Sequence, residues 1–269
     1  EVLITAGATE ALAAAILAFA VPGDEVLTLE PFYDSYAAAI AMAGATHRTI
    51  PLRPGPEGFH LDPDDVRAGF TDRTRIVLVN TPHNPTGTVL SPAELTVLAE
   101  EARARDAVIV TDEVYEHLTY DGVRHVPMAN WPAAANHTLT ISSAGKTLSF
   151  TGWKVGWVHG PAELVTAVRT VKQFLTYVAS GPFQHAVAVG LADEDGATGE
   201  YVRGLAESLQ SRRDLLLEAL DGAGFAAVRP AGTYFVVADA APLGFDDAAE
   251  LCRRLPELAG VVGVPVSAF

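Results

Sequence analysis

Residues 75–112 read RIVLVNTPHNPTGTVLSPAELTVLAEEARARDAVIVTD, and their pattern decides the fold. The run 75–80 is almost unbroken apolar and β-branched, as in a strand covered on both faces. Ser91-Pro92-Ala93-Glu94 then forms a capping box with proline in the first turn, so a helix begins there. A second covered strand follows at 107–111. Strand, helix and strand in that rhythm are the repeating unit of a sheet wrapped by helices.

The same rhythm extends in both directions. Further strands are predicted at 2–5, 25–29, 47–52, 138–142 and 154–158, which with the first two make seven. Asp62-Pro63-Asp64-Asp65 starts another helix, with acids near its positive dipole end. Helical periodicity covers 161–177 and 197–222; short strands at 226–229 and 233–238 and a helix at 246–255 follow. The expectation is an α/β fold with a mostly parallel seven-stranded sheet over residues 1–179, and a smaller α+β domain over 180–269.

Composition narrows the function classes. The 269 residues are 49% apolar, enough for a sizeable core. Thirty-three acidic against 18 basic residues give a net charge of -15, which repels nucleic acid and anionic membrane surfaces. Cys252 is the only cysteine, so the chain builds neither an internal disulfide nor a Cys-rich zinc site, and the reading calls for no metal. The longest apolar helix candidate, 11–21, falls short of a bilayer span, and no basic leader precedes it. A reducing cytoplasm is the expected compartment. Glu1-Val2-Leu3-Ile4 reads as a strand already under way, so the chain is expected to begin in mid-fold.

In open α/β sheets, ligands sit beyond the carboxyl ends of the strands. Four predicted strands deliver chemistry there. Gly7-Ala8-Thr9 opens a helix whose free amides suit a phosphate. Thr81-Pro82-His83-Asn84-Pro85-Thr86-Gly87 displays an amide, Asp112-Glu113-Val114-Tyr115 an acid and a phenol, and Ser143-Ala144-Gly145-Lys146 an amine. Taken singly, each has a bland reading: Asp112 as a helix cap, Asn84-Pro85 as a turn, Lys146 as a surface lysine. Scarcity counts against the last of these. Only Lys146, Lys154 and Lys172 of the 18 basic residues are lysines, and the first two lie close together.

Pyridoxal phosphate requires this set of groups. Its aldehyde needs an amine, its ring nitrogen a carboxylate, its phenolic oxygen donors, and its phosphate a helix end and a cation. Lys146 is the candidate amine and proton carrier, and Asp112 the partner of the ring nitrogen. Tyr115, one helical turn on, shares donation to the phenolic oxygen with Asn84. Gly7, Ala8, Thr9, Ser143 and Lys154 are the phosphate candidates.

The segments 81–87, 112–115 and 142–146, followed by Thr151-Gly152-Trp153-Lys154-Val155-Gly156-Trp157, resemble the class I aminotransferases of fold type I. The resemblance covers the whole chain. It implies that Tyr33, in Pro31-Phe32-Tyr33-Asp34-Ser35-Tyr36, stacks on the cofactor ring, that Asn84 also borders the substrate, and that the protein is a homodimer with Tyr177 approaching the partner's site. Many relatives carry arginine where Lys154 stands; lysine keeps the charge but loses the bidentate fork. The family's N-terminal closing segment and substrate-carboxylate arginine are expected before Glu1 and beyond Phe269, so both ends read as truncated. The implied reaction moves an amino group from an amino acid to a 2-oxo acid such as 2-oxoglutarate. Segments 7–12, 32–36, 177–184 and 242–247 point within the family to N-succinyldiaminopimelate aminotransferases of lysine biosynthesis. The alternatives are kynurenine, glutamine or methionine aminotransferases, a carbon–sulfur β-lyase, or the aminotransferase-like ligand-binding domain of a transcriptional regulator.

Overall fold

A computed structural model describes residues 1–55, 58–179 and 181–269. Its main sheet takes β1 (Val2–Thr5), β2 (Glu25–Glu30), β3 (Thr46–Gly55), β4 (Gly58–Leu61), β5 (Thr74–Asn80), β6 (Val108–Asp112), β7 (Thr138–Ser143) and β8 (Gly156–His159). The strand order is β1-β8-β7-β6-β5-β2-β3-β4. The five central strands, β7, β6, β5, β2 and β3, run parallel. At one edge β8 is antiparallel to both β7 and β1, and at the other β4 is antiparallel to β3. All seven predicted strands are present, and β4 is an eighth. Its four residues, with His60 exposed, carry too little apolar pattern to stand out in sequence.

Helices cover both faces. On one, α1 (Gly7–Phe19), α2 (Ser35–Ala43) and α6 (Ala162–Lys172) pack Leu12, Ile16, Ile40 and Val165 against the sheet residues Ile76, Leu78 and Ile141. On the other, α3 (Pro63–Gly69) and α4 (Pro92–Ala104) pack Val66, Leu95 and Leu98 against Val77, Val79 and Ile109. Consecutive residues of β5 thus enter opposite cores, which is why the strand reads as continuously apolar. The two helix starts read from sequence hold. The Asp62 side chain accepts from the Asp64 amide at 2.8 Å, and Ser91 and Glu94 form the reciprocal capping box.

Several predicted bounds differ: the strand expected over 233–238 is only Val237–Asp239, because the chain before it makes a strap held to Gly87 and Leu118, and the helix expected over 246–255 runs over Ala248–Ala259. Strand β8 begins at Gly156 rather than 154, because Lys154 is left-handed, with φ 53°, at the end of a short 3-10 turn over Thr151–Trp153. Helix α6 stops at Lys172 rather than 177, and Tyr177 has φ 61°. No helical turn links Asp112 to Tyr115; hydrogen-bonded turns occupy that stretch.

Beyond the short α5 (Ala144–Thr147) and α6, the chain forms α7 (Gly181–Leu191), an Ala/Gly-rich helix that the sequence did not announce, and α8 (Ala197–Gly222), which has the predicted span. A two-stranded ribbon of β9 (Ala226–Val228) and β10 (Val237–Asp239) and the helix α9 (Ala248–Ala259) follow. Residues 230–236 form a strap laid back on the sheet region. Ala231 and Gly232 both donate to the Gly87 carbonyl, at 3.0 and 2.9 Å, and Thr233 donates to the Leu118 carbonyl at 2.9 Å.

Candidate active site

The carboxyl ends of β5, β6 and β7 lie side by side, with Asn80 in register with Asp112 and Asp112 with Ile141. A cavity of about 310 Å³ opens above them. Lys146, Asp112, Tyr115, Asn84 and Tyr33 all line it, as do Gly7, Ala8, Thr9, Ser143 and Lys154. Tyr177 does not: it is 74% exposed on the surface.

Asp112, 5% exposed, occupies the floor. Tyr36 donates its hydroxyl to Asp112 Oδ2 at 2.7 Å, and the Val114 amide donates to Oδ1 at 3.4 Å. Burial pushes the carboxyl up to about 6, against the opposing pull of Tyr36, Val114 and Lys146. Burial beside this carboxylate likewise holds the Tyr36 phenol well above its ordinary value. Only a loop turn follows Asp112, so it caps no helix. Asn80 braces the floor: its Nδ2 donates to the Asp112 carbonyl at 2.8 Å and its Oδ1 accepts from the Asn84 amide at 2.7 Å. Asn84 Oδ1 is buried without a hydrogen-bond partner among the described residues, a polar group awaiting a ligand. His83 in the same loop shares a hydrogen bond with Thr86 at 2.9 Å, and burial pushes it down to about 3, so it is neutral and structural.

Lys146 stands on α5, directly after β7. Gly145 before it has no room for a side chain, since a Cβ there would lie 2.9 Å from Thr151 Cα. Lys146 Nζ donates to the Tyr234 hydroxyl at 2.7 Å and lies 5.6 Å from the centre of the Tyr115 ring. The Tyr115 and Tyr234 hydroxyls share a hydrogen bond at 3.2 Å. Burial beside Tyr234 raises the Tyr115 phenol, so it stays protonated as a donor.

The third wall is the start of α1. Its N-cap, Ala6, provides no side-chain cap. Gly7 has φ 80°, and Gly156 lies against it so closely that a Cβ at 156 would meet the Gly7 carbonyl carbon at 2.5 Å. The stem of Lys154 runs beside Gly7, where a Cβ would meet Lys154 Cδ at 3.6 Å. The left-handed backbone at Lys154 therefore brings a cation to a helix end, an arrangement that attracts an anion.

The assembled wall includes one amine, one buried carboxyl, an amide, four phenols and a cationic helix end. Residues 1–269 match the family Aminotransferase class I and II from end to end. The chain belongs to that family. As an aminotransferase it is 53% identical, over all 269 residues, to the "Probable N-succinyldiaminopimelate aminotransferase DapC" of Mycobacterium tuberculosis, and covers 67% of that protein's length. It is 37% identical to the methionine aminotransferase of Escherichia coli K12, covering 68% of it. The solved structure of N-succinyldiaminopimelate aminotransferase from M. tuberculosis superposes on the whole chain with a TM-score of 0.96, and 69% of that structure is covered. The aminotransferase chain thus spans about two thirds of these relatives. No helix among the described residues is long and apolar enough to cross a membrane.

Among the lining residues that the sequence does not announce, Tyr36, Asn80 and Tyr234 bear on the chemistry. Tyr36 sits inside a quoted motif, but its partner is 76 positions away. Asn80 ends an otherwise apolar strand, a signal that was there to use. Tyr234 lies in an aromatic pair on the strap, with nothing local to mark it.

Proposed function

We propose that this aminotransferase uses pyridoxal 5'-phosphate to move the amino group of N-succinyldiaminopimelate to a 2-oxo acid such as 2-oxoglutarate. The observation that carries the proposal is the convergence of Lys146, Asp112 and the Gly7–Lys154 anion end on one cavity of fitting size. The 53% identity over the full chain supports the choice of donor. The residues fit the cofactor: a cavity-lining Asn84 amide, an amine, a carboxyl buried yet reachable, and a cation at a helix end match its four polar groups. When bound, the cofactor supplies an electron sink for the substrate α-carbon.

Lys146 holds the cofactor through its amine and, once released, carries the proton to and from the α-carbon. Asp112 faces the ring nitrogen; a cation there offsets the burial that otherwise raises its pKa. Tyr115 and Asn84 direct hydrogen-bond donors at the phenolic oxygen, and Tyr33 covers the ring face. Ala8, Thr9, Ser143 and Lys154 hold the phosphate beside the close Gly7–Gly156 contact. The working protein is a homodimer in which Tyr177, displayed on the surface, reaches the partner's site. The deciding assay compares N-succinyldiaminopimelate, kynurenine, methionine and glutamine as donors with 2-oxoglutarate as acceptor. The succinylated donor is expected to show the highest kcat/KM; a higher value for methionine or kynurenine overturns the assignment.

A further inference from the structure

The strap that delivers Tyr234 is fastened more heavily than a surface connection needs. Besides its bonds to Gly87 and Leu118, the Tyr120 amide donates to the Ala231 carbonyl at 2.8 Å and the Tyr120 hydroxyl donates to the Thr233 carbonyl. Arg213 Nη1 donates to the Pro230 carbonyl at 2.9 Å while bridging to Asp121 at 2.7 Å. A side chain at Gly232 would collide with the Leu118 carbonyl, at 2.8 Å. Thr233 is fully buried with φ 65°. A β-branched residue in the left-handed region is an outlier that persists only where its surroundings over-determine it, and such residues cluster at working sites. The next residue is Tyr234.

Among the described residues, the Tyr234 hydroxyl is the polar group of the C-terminal stretch hydrogen-bonded to the amine. Lys146 carries donors only, so Tyr234 oxygen accepts from Nζ at 2.7 Å, and the same oxygen lies 3.2 Å from the Tyr115 hydroxyl. The Tyr234 ring meets the Tyr115 ring edge-on at 5.3 Å, and Nζ lies 5.3 Å from the centre of the Tyr234 ring. The Tyr115 ring and the Tyr234 hydroxyl thus form a seat for a cationic amine.

Building on the proposed role of Lys146, we infer that Tyr234 is a further working residue of the site: its hydroxyl holds the Lys146 amine whenever that amine is not joined to the cofactor. No bond is made or broken at Tyr234. The amine is kept over the Tyr115 ring through each release, so it returns to the same point on the substrate. The strain at Thr233 and the fastening of the strap serve to fix that hydroxyl from a stretch of chain with little core of its own.

The test uses the full chain freed of cofactor and Tyr234→Phe, which keeps the ring and removes only the oxygen. Formaldehyde with cyanoborohydride methylates lysines, and mass spectrometry resolves Lys146, Lys154 and Lys172 separately. Tyr234→Phe is expected to raise the Lys146 rate at fixed pH about tenfold, the lower end of the scale of one lost hydrogen bond to a charged group. Lys154 and the buried Lys172 keep their rates, the latter reporting an intact fold. Equal Lys146 rates in the two proteins, with Lys172 unchanged, overturn the inference and leave Tyr234 as packing. Adding pyridoxal phosphate to the unsubstituted chain tests the underlying reading separately. It must shield Lys146, and failure to shield removes the cofactor assignment whatever Tyr234→Phe does.

Discussion

The central sheet and the C-terminal stretch are built by different means. Every residue of β7 is buried, and β5 and β6 are nearly so, held by apolar side chains on both faces. In the 26 residues of α8 only Gly199 and Arg213 are buried, while Leu215 is 68% exposed. What joins α8 to the sheet region is a small apolar patch, Leu205 and Leu209 against Val114, Tyr115 and Leu118, and a polar clamp: Arg213, 3% exposed, grips Asp121 and lies over the Tyr120 ring at 4.9 Å. The difference teaches where chemistry can be placed. Groups on strand ends are positioned by the large core beneath them, whereas a group from the outer stretch is tied in by hydrogen bonds and an ion pair beside a small apolar patch, as Tyr234 is.

Substitutions in the two regions should therefore separate widely. Lys146→Ala is expected to lower kcat at least about a thousandfold, since it removes both the proposed anchor and the proposed proton carrier. Borohydride should then fix no cofactor on the peptide containing residue 146. Residual turnover near that of the unsubstituted chain would dismiss the strand-end amine. Leu98→Ala, in the fully buried α4 face, should cost about 2–5 kcal/mol in urea unfolding.

Asp112→Asn has a pH signature. A carboxyl raised to about 6 in the fold favours the folded state below its ordinary value near 3.8, and that contribution is lost as pH rises through 6. In the cofactor-free chain, Asp112→Asn should match the unsubstituted protein near pH 4 and exceed it above pH 7 by about 3 kcal/mol, the value of roughly two pK units. A difference independent of pH would mean that Asp112 titrates normally. Arg213→Met should cost about 1–3 kcal/mol by leaving the Pro230 carbonyl and Asp121 without their buried partner. Leu215→Ala should change stability by less than about 0.5 kcal/mol; a cost like that of Leu98→Ala would erase the contrast between the regions.

The same contrast governs what could be read in advance. Strands β5, β6 and β7 were legible because burial on both faces leaves an unbroken apolar run, and Lys146, Asp112 and Asn84 because each directly follows such a strand. Lys154 was placed in β8 since a left-handed lysine goes against local propensity; its conformation is set by the packing of the Gly7 turn. Helix α6 was read past Lys172 because residues 173–177 keep an apolar rhythm, while the chain there turns out to the surface. Tyr234 was invisible for a related reason. Its place depends on contacts with Gly87, Leu118 and Arg213, scattered over the sequence, and on a backbone conformation that threonine does not prefer. Tyr36 was visible as a residue but not as the partner of Asp112, because pairing across 76 positions has no local signature.

The pairing of β1 with β8 sets an order of events during synthesis. Val2 lies opposite His159, and Thr5 opposite Gly156. The first strand therefore has no partner until some 155 further residues have left the ribosome, on the order of ten seconds or more at ordinary elongation rates. Until then the Gly7 turn has nothing to close against, since the Gly156 backbone that abuts it does not yet exist. The β1–β8 pairing and the Gly7–Gly156 contact therefore form only after Lys146 and Lys154 have been made. The sheet edge beside the cavity is thus completed only when both the proposed amine and the proposed cation are in hand.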